Sequence, residues 1–141
     1  MWFDTPSSIE PSTDAVNLSS GIEESVTHIL QVLRDETERL GGRAENIVLG
    51  GISQGGAVAM WALLALLAAN GTEDRSLGVV GMSTWLPFAP EVQSSLDRDI
   101  PCTQSPDGFI RRTLSSLRKR TEEGSCAAYL LLWVTVRTMP T

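Results

Sequence analysis

Apolar side chains recur at helical spacing between residues 20 and 40, and this periodicity predicts the first helix. The stripe consists of Ile22, Val26, Ile29, Leu33 and Leu40. Polar side chains lie on other sides of the same helix, namely Glu24, Gln31, Asp35 and Glu38. Ser20 and Glu23 have the spacing of a capping box, which predicts that the helix begins at residue 20. The preceding residues 5–19 are rich in Pro, Ser, Thr and Asp, so we predict a surface loop there.

Two short apolar runs, at residues 47–50 and 77–82, flank a longer apolar segment at residues 54–70. The runs lack polar alternation, which is typical of strands covered on both faces of a parallel sheet. The longer segment is apolar nearly all round and predicts a buried helix between the two strands. This order indicates a βαβ unit with a right-handed crossover, and hence an α/β fold with a mostly parallel sheet. A third strand is predicted at residues 127–136.

The stretch between Glu45 and Glu73 contains no charge and is long enough to raise the question of a membrane span. Its unbroken apolar part, residues 57–69, is shorter than the roughly 20 residues that a bilayer requires. A buried core helix is therefore the better interpretation. The N-terminus shows no basic region followed by an apolar stretch, so no secretory signal is indicated and a cytoplasmic location is expected.

The length, the net charge and the cysteines of the chain bear on its number of domains and on its possible partners. The 141 residues suffice for one domain, and 17 acidic against 11 basic side chains give a net charge of -6. This sign disfavours nucleic acid as a partner. The two cysteines, Cys102 and Cys126, have no neighbours at metal-ligand spacing, so no metal site is expected.

Basic residues cluster near the C-terminus. Five of the 11 lie within residues 111–120, which sets residues 101–141 apart as a basic tail. Ile110, Leu114 and Leu117 recur at helical spacing beside them, and together they form a basic amphipathic pattern. Such a helix either makes weak contact with an anionic membrane surface or, more commonly, presents a solvated face. The sequence leaves both alternatives open.

Residues 51–55, Gly-Ile-Ser-Gln-Gly, match the pattern Gly-x-Ser-x-Gly between a predicted strand and a predicted helix. Gly51 and Gly55 permit the sharp turn that exposes a serine hydroxyl in a strained backbone. Ser53 is therefore the candidate nucleophile. The backbone N–H of Gln54, at the positive end of the helix, can point at a developing oxyanion. The alternative is a glycine-rich turn of a βα unit that happens to contain a serine.

Three segments carry a resemblance to a known family: WFD at residues 2–4, IVLGGISQGGA at 47–57 and LGVVGMSTWLP at 77–87. In this order and spacing they resemble the acyl-protein thioesterases of the phospholipase and carboxylesterase group of α/β-hydrolases. The resemblance covers residues 2–90. It implies a partial α/β-hydrolase domain over residues 1–100, with its nucleophile in the turn after a central strand.

The resemblance implies a cytoplasmic serine hydrolase that cleaves thioesters or esters of long acyl chains without a cofactor. Its expected partners are acylated proteins, including those palmitoylated on cysteine, and lipid esters of the lysophospholipid type. Ser53 matches the family's nucleophile, and Gln54 matches the residue whose amide contributes to the oxyanion hole. Trp85 and Leu86 match the loop after the next strand, where Trp85 is expected to line the acyl site. The alternative for Trp85 is a hydrophobic plug at the sheet edge.

The rest of the catalytic triad is not evident. In α/β-hydrolases an acid and then a histidine follow the serine. The chain's one histidine, His28, precedes Ser53 and lies off the apolar stripe of its helix, so we interpret it as a surface residue rather than a substitute base. The candidates for the triad acid after Ser53 are Asp74, Asp97, Asp99 and Asp107. None of them follows an apolar strand in the context typical of the family, so no triad acid or histidine is identified.

The family's fold has further strands before and after the matched segments, so we expect the chain to be truncated at both ends. Two functions stay open: a serine hydrolase acting through Ser53, and a catalytically incomplete remnant that acts at most in binding. Without the further strands, apolar surface and unpaired strand edges are expected to be exposed, which promotes self-association.

Overall fold

A computed structural model describes residues 11–70, 77–96 and 108–122, with side chains over 17–69, 77–96 and 108–120. The elements are helix α1 (Pro11–Arg39), a 3-10 turn (Ala44–Asn46), strand β1 (Val48–Ile52), helix α2 (Gln54–Asn70), strand β2 (Gly78–Met82), helix α3 (Ala89–Leu96) and helix α4 (Phe109–Glu122). The strand predicted at residues 127–136 lies outside the described residues.

Strands β1 and β2 form the predicted βαβ unit. They pair in parallel, with Val48 opposite Gly78 and Ile52 opposite Met82, and α2 connects them. The α/β fold class is therefore confirmed. Helix α2 also has its predicted bounds. Local sequence marks both of its ends, since a glycine-rich turn precedes it and Gly71 follows it.

Helix α2 lies at the centre of the core. It contacts both strands and packs against α1 and α4. Trp61 is fully buried in its middle, and its ring meets that of Phe88 edge-on at a centroid distance of 6.4 Å. A helix with neighbours on several sides has no face left for polar side chains, which explains why the segment is apolar nearly all round.

Helix α1 begins at Pro11, so the prediction of a surface loop over residues 5–19 is wrong for residues 11–19, and residues 5–10 lie outside the described residues. Proline lacks a backbone N–H and has a fixed φ, and both properties suit the first turn of a helix. The apolar stripe also continues one turn further back, because Leu18 packs against the core. The capping box predicted at Ser20 therefore lies inside the helix. Burial of this extra turn outweighs the polar composition from which the loop was predicted.

One face of the two-stranded sheet is open, and we call it the open sheet face. It consists of four side chains between 48% and 69% exposed: Val48, Ile52, Val80 and Met82. On the opposite face, Leu49 packs against the core beside α2. The prediction that β1 is covered on both faces is therefore wrong within the part of the chain that the structure describes. The continuous apolar run indicates that both faces favour burial, but among the described helices it is α2 that packs on the sheet, and it covers one face.

The apolar stripe next to the basic cluster belongs to the core. Ile110, Leu114 and Leu117 of α4 are each at most 1% exposed and join the same buried cluster as α2. Membrane contact through this segment and a domain boundary at residue 100 stay predictions. Among the described helices, none combines the length and the apolar character needed to cross a membrane.

Two arginines connect α4 to the other helices. The guanidinium of Arg112 pairs with the carboxylate of Glu23 on α1 at 2.6 Å. The guanidinium of Arg120 donates to the carbonyl oxygen of Ala68 at 2.8 Å and also to that of Ala69. The last carbonyls of a helix lack partners within the helix, so Arg120 caps the C-terminal end of α2.

Candidate active site

Ser53 occupies the turn between β1 and α2 and has a φ of 53°. This left-handed backbone costs a residue other than glycine about 1–3 kcal/mol, so it persists only where the surrounding structure enforces it. The residue is exposed. The structure thus contains the strained, exposed serine that the motif predicts, and the role of Ser53 as a nucleophile stays a prediction.

The sharpness of the turn depends on Gly51. A Cβ atom at this position would lie 2.3 Å from the carbonyl carbon of Gly55 and 2.4 Å from the backbone nitrogen of Gly56. These atoms belong to the backbone of α2 and cannot move aside without opening the turn. At Gly50, one residue earlier, a Cβ atom would come no closer than 4.0 Å to the carbonyl oxygen of Val80. The turn therefore requires glycine at Gly51, whereas Gly50 has room for a side chain.

Backbone hydrogen bonds fix Ser53 on both sides. Its N–H donates to the carbonyl oxygen of Met82 at 3.0 Å, which extends the parallel ladder by one residue. Its carbonyl oxygen accepts from the N–H of Gly56 at 3.0 Å and from that of Ala57 at 3.2 Å, which begins the hydrogen bonding of α2. The serine is therefore held between the sheet and the helix.

Thr84, in the loop after β2, makes the third contact to the same carbonyl. Its hydroxyl donates to the carbonyl oxygen of Ser53 at 2.7 Å and lies 3.4 Å from the carbonyl oxygen of Trp85. The shorter distance makes the Ser53 carbonyl the better placed of the two acceptors. Sequence reasoning did not single out Thr84, because one threonine in a loop carries no periodic or motif signal.

The loop that contains Thr84 is fastened to the core. The indole N–H of Trp61 donates to the carbonyl oxygen of Pro87 at 3.2 Å, and Leu86 is buried among the core side chains. Phe88, at the end of the loop, has a φ of 58° and packs against the Trp61 ring. The position of Thr84 is thus set by buried contacts a few residues further along the chain.

The other predicted site residues lie on both sides of Ser53. Gln54 is the first residue of α2, so its N–H belongs to the turn in which helix N–H groups point along the axis. Trp85 is 40% exposed, whereas Leu86 is only 7% exposed and packs in the core. Roles in substrate binding stay predictions for both. The burial of Leu86 shows that it also serves the fold.

His28 lies on α1, where it is exposed, as the interpretation of a surface residue expects. Within the described part of the chain, His28 makes no hydrogen bond to Ser53. The four candidates for the triad acid lie outside the described residues, as do Cys102 and Cys126. Over residues 11–70, 77–96 and 108–122, the structure brings together no cluster of three metal-ligating side chains.

A parallel βαβ unit with a strained serine at its strand-to-helix turn defines a class of protein, the α/β-hydrolases. The described elements form a part of that fold. The family model described as Phospholipase/Carboxylesterase matches residues 1–106. The chain therefore belongs to the phospholipase/carboxylesterase family of α/β-hydrolases, which confirms the resemblance found in the sequence.

Among curated proteins, the chain is similar to two relatives named acyl-protein thioesterase 1. They come from Cryptococcus neoformans var. neoformans serotype D, strains JEC21 / ATCC MYA-565 and B-3501A. Each is 30% identical over 104 residues, which cover 71% of this chain and 40% of the relative. The chain thus spans less than half the length of these relatives. No solved structure gives a significant match.

Proposed function

We propose that the chain is a serine hydrolase of the acyl-protein thioesterase or carboxylesterase type, with Ser53 as its nucleophile. The observation that carries the proposal is the left-handed backbone of Ser53, with a φ of 53°, at a tight strand-to-helix turn. Strain of this kind clusters at active sites, where it exposes a reacting group. Membership of the family and the names of the two relatives support an ester or a thioester as the bond that is cleaved.

In the proposed reaction, the hydroxyl oxygen of Ser53 attacks the carbonyl carbon of the acyl group while a general base takes its proton. The carbonyl oxygen becomes an oxyanion, and the N–H of Gln54 is its proposed donor. Collapse of this intermediate expels a thiol or an alcohol, which takes up the proton, and leaves an acyl-enzyme. Attack by water then releases the carboxylic acid and restores the serine hydroxyl. The serine supplies the nucleophile, so this sequence of steps requires no cofactor.

The proposed substrates are acylated proteins and lipid esters, cleaved in the cytoplasm in depalmitoylation or lipid metabolism. Apolar side chains next to the serine in the fold support an apolar acyl group. Ile52 directly precedes Ser53 and is 63% exposed, and Met82, whose carbonyl accepts the Ser53 N–H, is 54% exposed. Trp85 is exposed in the neighbouring loop and is the proposed wall of the acyl site.

Labelling with a fluorophosphonate probe, followed by peptide mass spectrometry, tests the proposal. The probe is expected to form an adduct at Ser53, and Ser53→Ala is expected to abolish labelling. Ser83→Ala is the matched control, because Ser83 is also exposed and also has a positive φ, 45°, in the turn after β2. This variant is expected to label like the wild type. Hydrolysis of an acyl thioester should be lost in Ser53→Ala and retained in Ser83→Ala.

A non-catalytic role is the second candidate, and the position of the one histidine favours it. His28 precedes the serine turn and is exposed on α1, so no histidine of these 141 residues stands after the serine, in the order that a triad requires. A serine hydroxyl without a base is a poor nucleophile. A folded wild-type protein that shows no adduct at Ser53 would contradict the hydrolase proposal and support a role in binding.

A further inference from the structure

We infer that Thr84 is a positioning residue for Ser53: its hydroxyl holds the carbonyl of the serine, and its hydrocarbon part fills the gap between the serine turn and β2. This inference rests on the proposed function, because it concerns how the nucleophile is kept in its strained backbone. The contact joins residues that are 31 positions apart in the sequence.

The hydrogen bond of Thr84 differs in kind from the other bonds to the same carbonyl. The donors Gly56 and Ala57 belong to the first turn of α2, three and four residues after the serine. These two bonds form together with the helix, and they do not fix the position of the helix relative to the loop after β2. The bond from the Thr84 hydroxyl is the shortest of the three, at 2.7 Å, and its donor comes from a different part of the fold. It therefore ties the serine peptide to that loop.

The side chain of Thr84 packs closely against two glycines. A Cβ atom at Gly56 would lie 2.7 Å from both the Cβ and the Oγ1 of Thr84, and one at Gly81 would lie 2.8 Å from its Cγ2. Contacts this short would force the threonine to move. The glycines thus leave space that the threonine fills, and the hydroxyl is the group that holds the Ser53 carbonyl.

The backbone of the loop is also held in place, so the hydroxyl starts from a defined position. Ser83 precedes Thr84 with a φ of 45°, and Pro87 follows in the same loop, where its carbonyl accepts the Trp61 indole N–H. A hydroxyl on a mobile loop would lose most of its effect, because the entropy of ordering the loop would offset the bond. Here the core has already ordered the loop.

Two substitutions at this position separate the roles of its atoms. Thr84→Val replaces the hydroxyl with a methyl group and so removes the donor, whereas Thr84→Ser keeps the hydroxyl and removes Cγ2. Thr27→Val is the matched control, because the Thr27 hydroxyl donates to the Glu23 carbonyl at 2.7 Å on α1. The rate of fluorophosphonate labelling at Ser53 is expected to fall about threefold to tenfold in Thr84→Val, the range that one hydrogen bond supplies. It should stay within about twofold of the wild type in Thr84→Ser and Thr27→Val.

Amide hydrogen exchange supplies a readout that does not depend on activity. Exchange of the Gly56 and Ala57 amides, which donate to the Ser53 carbonyl, is expected to speed up about threefold or more in Thr84→Val and to stay unchanged in Thr84→Ser. If Thr84→Val does not fold, as judged by circular dichroism, Thr84→Ala removes the same hydroxyl with less crowding and takes its place.

The two readouts distinguish failure of the inference from failure of the proposed function. Equal labelling and equal exchange in Thr84→Val and the wild type would overturn the inference, and so would a Thr84→Ser variant as impaired as Thr84→Val. If the wild type is not labelled at all but Thr84→Val alone exchanges faster at Gly56 and Ala57, Thr84 positions the turn and the hydrolase proposal fails.

Discussion

The indole N–H of Trp61 donates a hydrogen bond of 3.2 Å to the carbonyl oxygen of Pro87 and thereby ties the middle of α2 to the loop after β2. Trp61 is fully buried, and its ring packs against both Phe88 and Phe109. The same loop contains Thr84, whose hydroxyl contacts the Ser53 carbonyl. Trp61 thus holds the loop against α2, and Thr84 of the same loop contacts the serine turn.

Trp61→Phe removes the donor and part of the ring, so it is expected to lower the free energy of unfolding by about 1–3 kcal/mol. Urea denaturation followed by circular dichroism measures the change. The same substitution at Trp85, which is 40% exposed, is the control and should cost less than half as much. Equal losses at the two positions would show that the Pro87 contact does not stabilise the fold.

Gly51→Ala is expected to cost about 2 kcal/mol or more, because its Cβ atom would meet backbone atoms that cannot move independently. It should also abolish any labelling of Ser53, since the turn must open. Gly50→Ala introduces the same atom one residue earlier, where the closest atom is 4.0 Å away, and is expected to change stability by less than about 0.5 kcal/mol. Thermal unfolding of the two variants side by side tests the prediction, which fails if they melt alike.

Gly81→Ala and Thr84→Ser should be coupled. A Cβ atom at Gly81 would lie 2.8 Å from Cγ2 of Thr84 but 4.0 Å from its Cβ, and serine lacks the Cγ2 atom. Gly81→Ala alone is expected to cost about 1–3 kcal/mol, and the cost should shrink by at least about 0.5 kcal/mol in the Thr84→Ser background. Denaturation of all four proteins of the cycle gives this interaction energy. Additive losses would mean that the threonine turns away from the clash at no cost.

Arg120→Met is expected to destabilise the protein by about 1–2 kcal/mol, because the guanidinium caps the last carbonyls of α2 with charged hydrogen bonds. Arg112→Met makes the same change in charge but breaks an ion pair whose arginine is 66% exposed, so the expected loss is below about 0.5 kcal/mol. Chemical denaturation of the two variants at the same salt concentration gives both losses in the free energy of unfolding. A larger loss in Arg120→Met shows that the helix cap contributes more than the surface ion pair. The reverse order of losses would count against the capping role.

Paired Val48→Thr and Val80→Thr substitutions are expected to reduce self-association. Both side chains lie on the open sheet face, and exposed apolar patches promote association. Threonine keeps the β-branched shape that suits a strand, so the fold should be retained. Sedimentation velocity over a range of protein concentrations measures the effect. Leu49→Thr, on the covered face, is the control, and it should lower stability instead of association.

Local sequence predicted the parts of this protein in which neighbouring residues decide the structure. Helix α2 begins and ends where its glycines and apolar run indicate, and the two strands fall within or close to the predicted runs. The serine turn was predictable for the same reason. Gly51 lies within a few residues of the backbone atoms that require it to be glycine, so a five-residue motif contains the information for the turn itself.

Tertiary structure decided the features that depend on residues far apart in the chain. The packing of Leu18 against the core, the burial of Leu114 in a basic segment and the open sheet face all depend on which surfaces meet. The bond between Thr84 and Ser53 spans 31 positions and has no periodic signal. Backbone sterics and glycine spacing act between near neighbours and are therefore visible in the sequence. Burial and side-chain hydrogen bonds gain their free energy from whichever distant groups the fold brings into contact, and so only the packed chain reveals them.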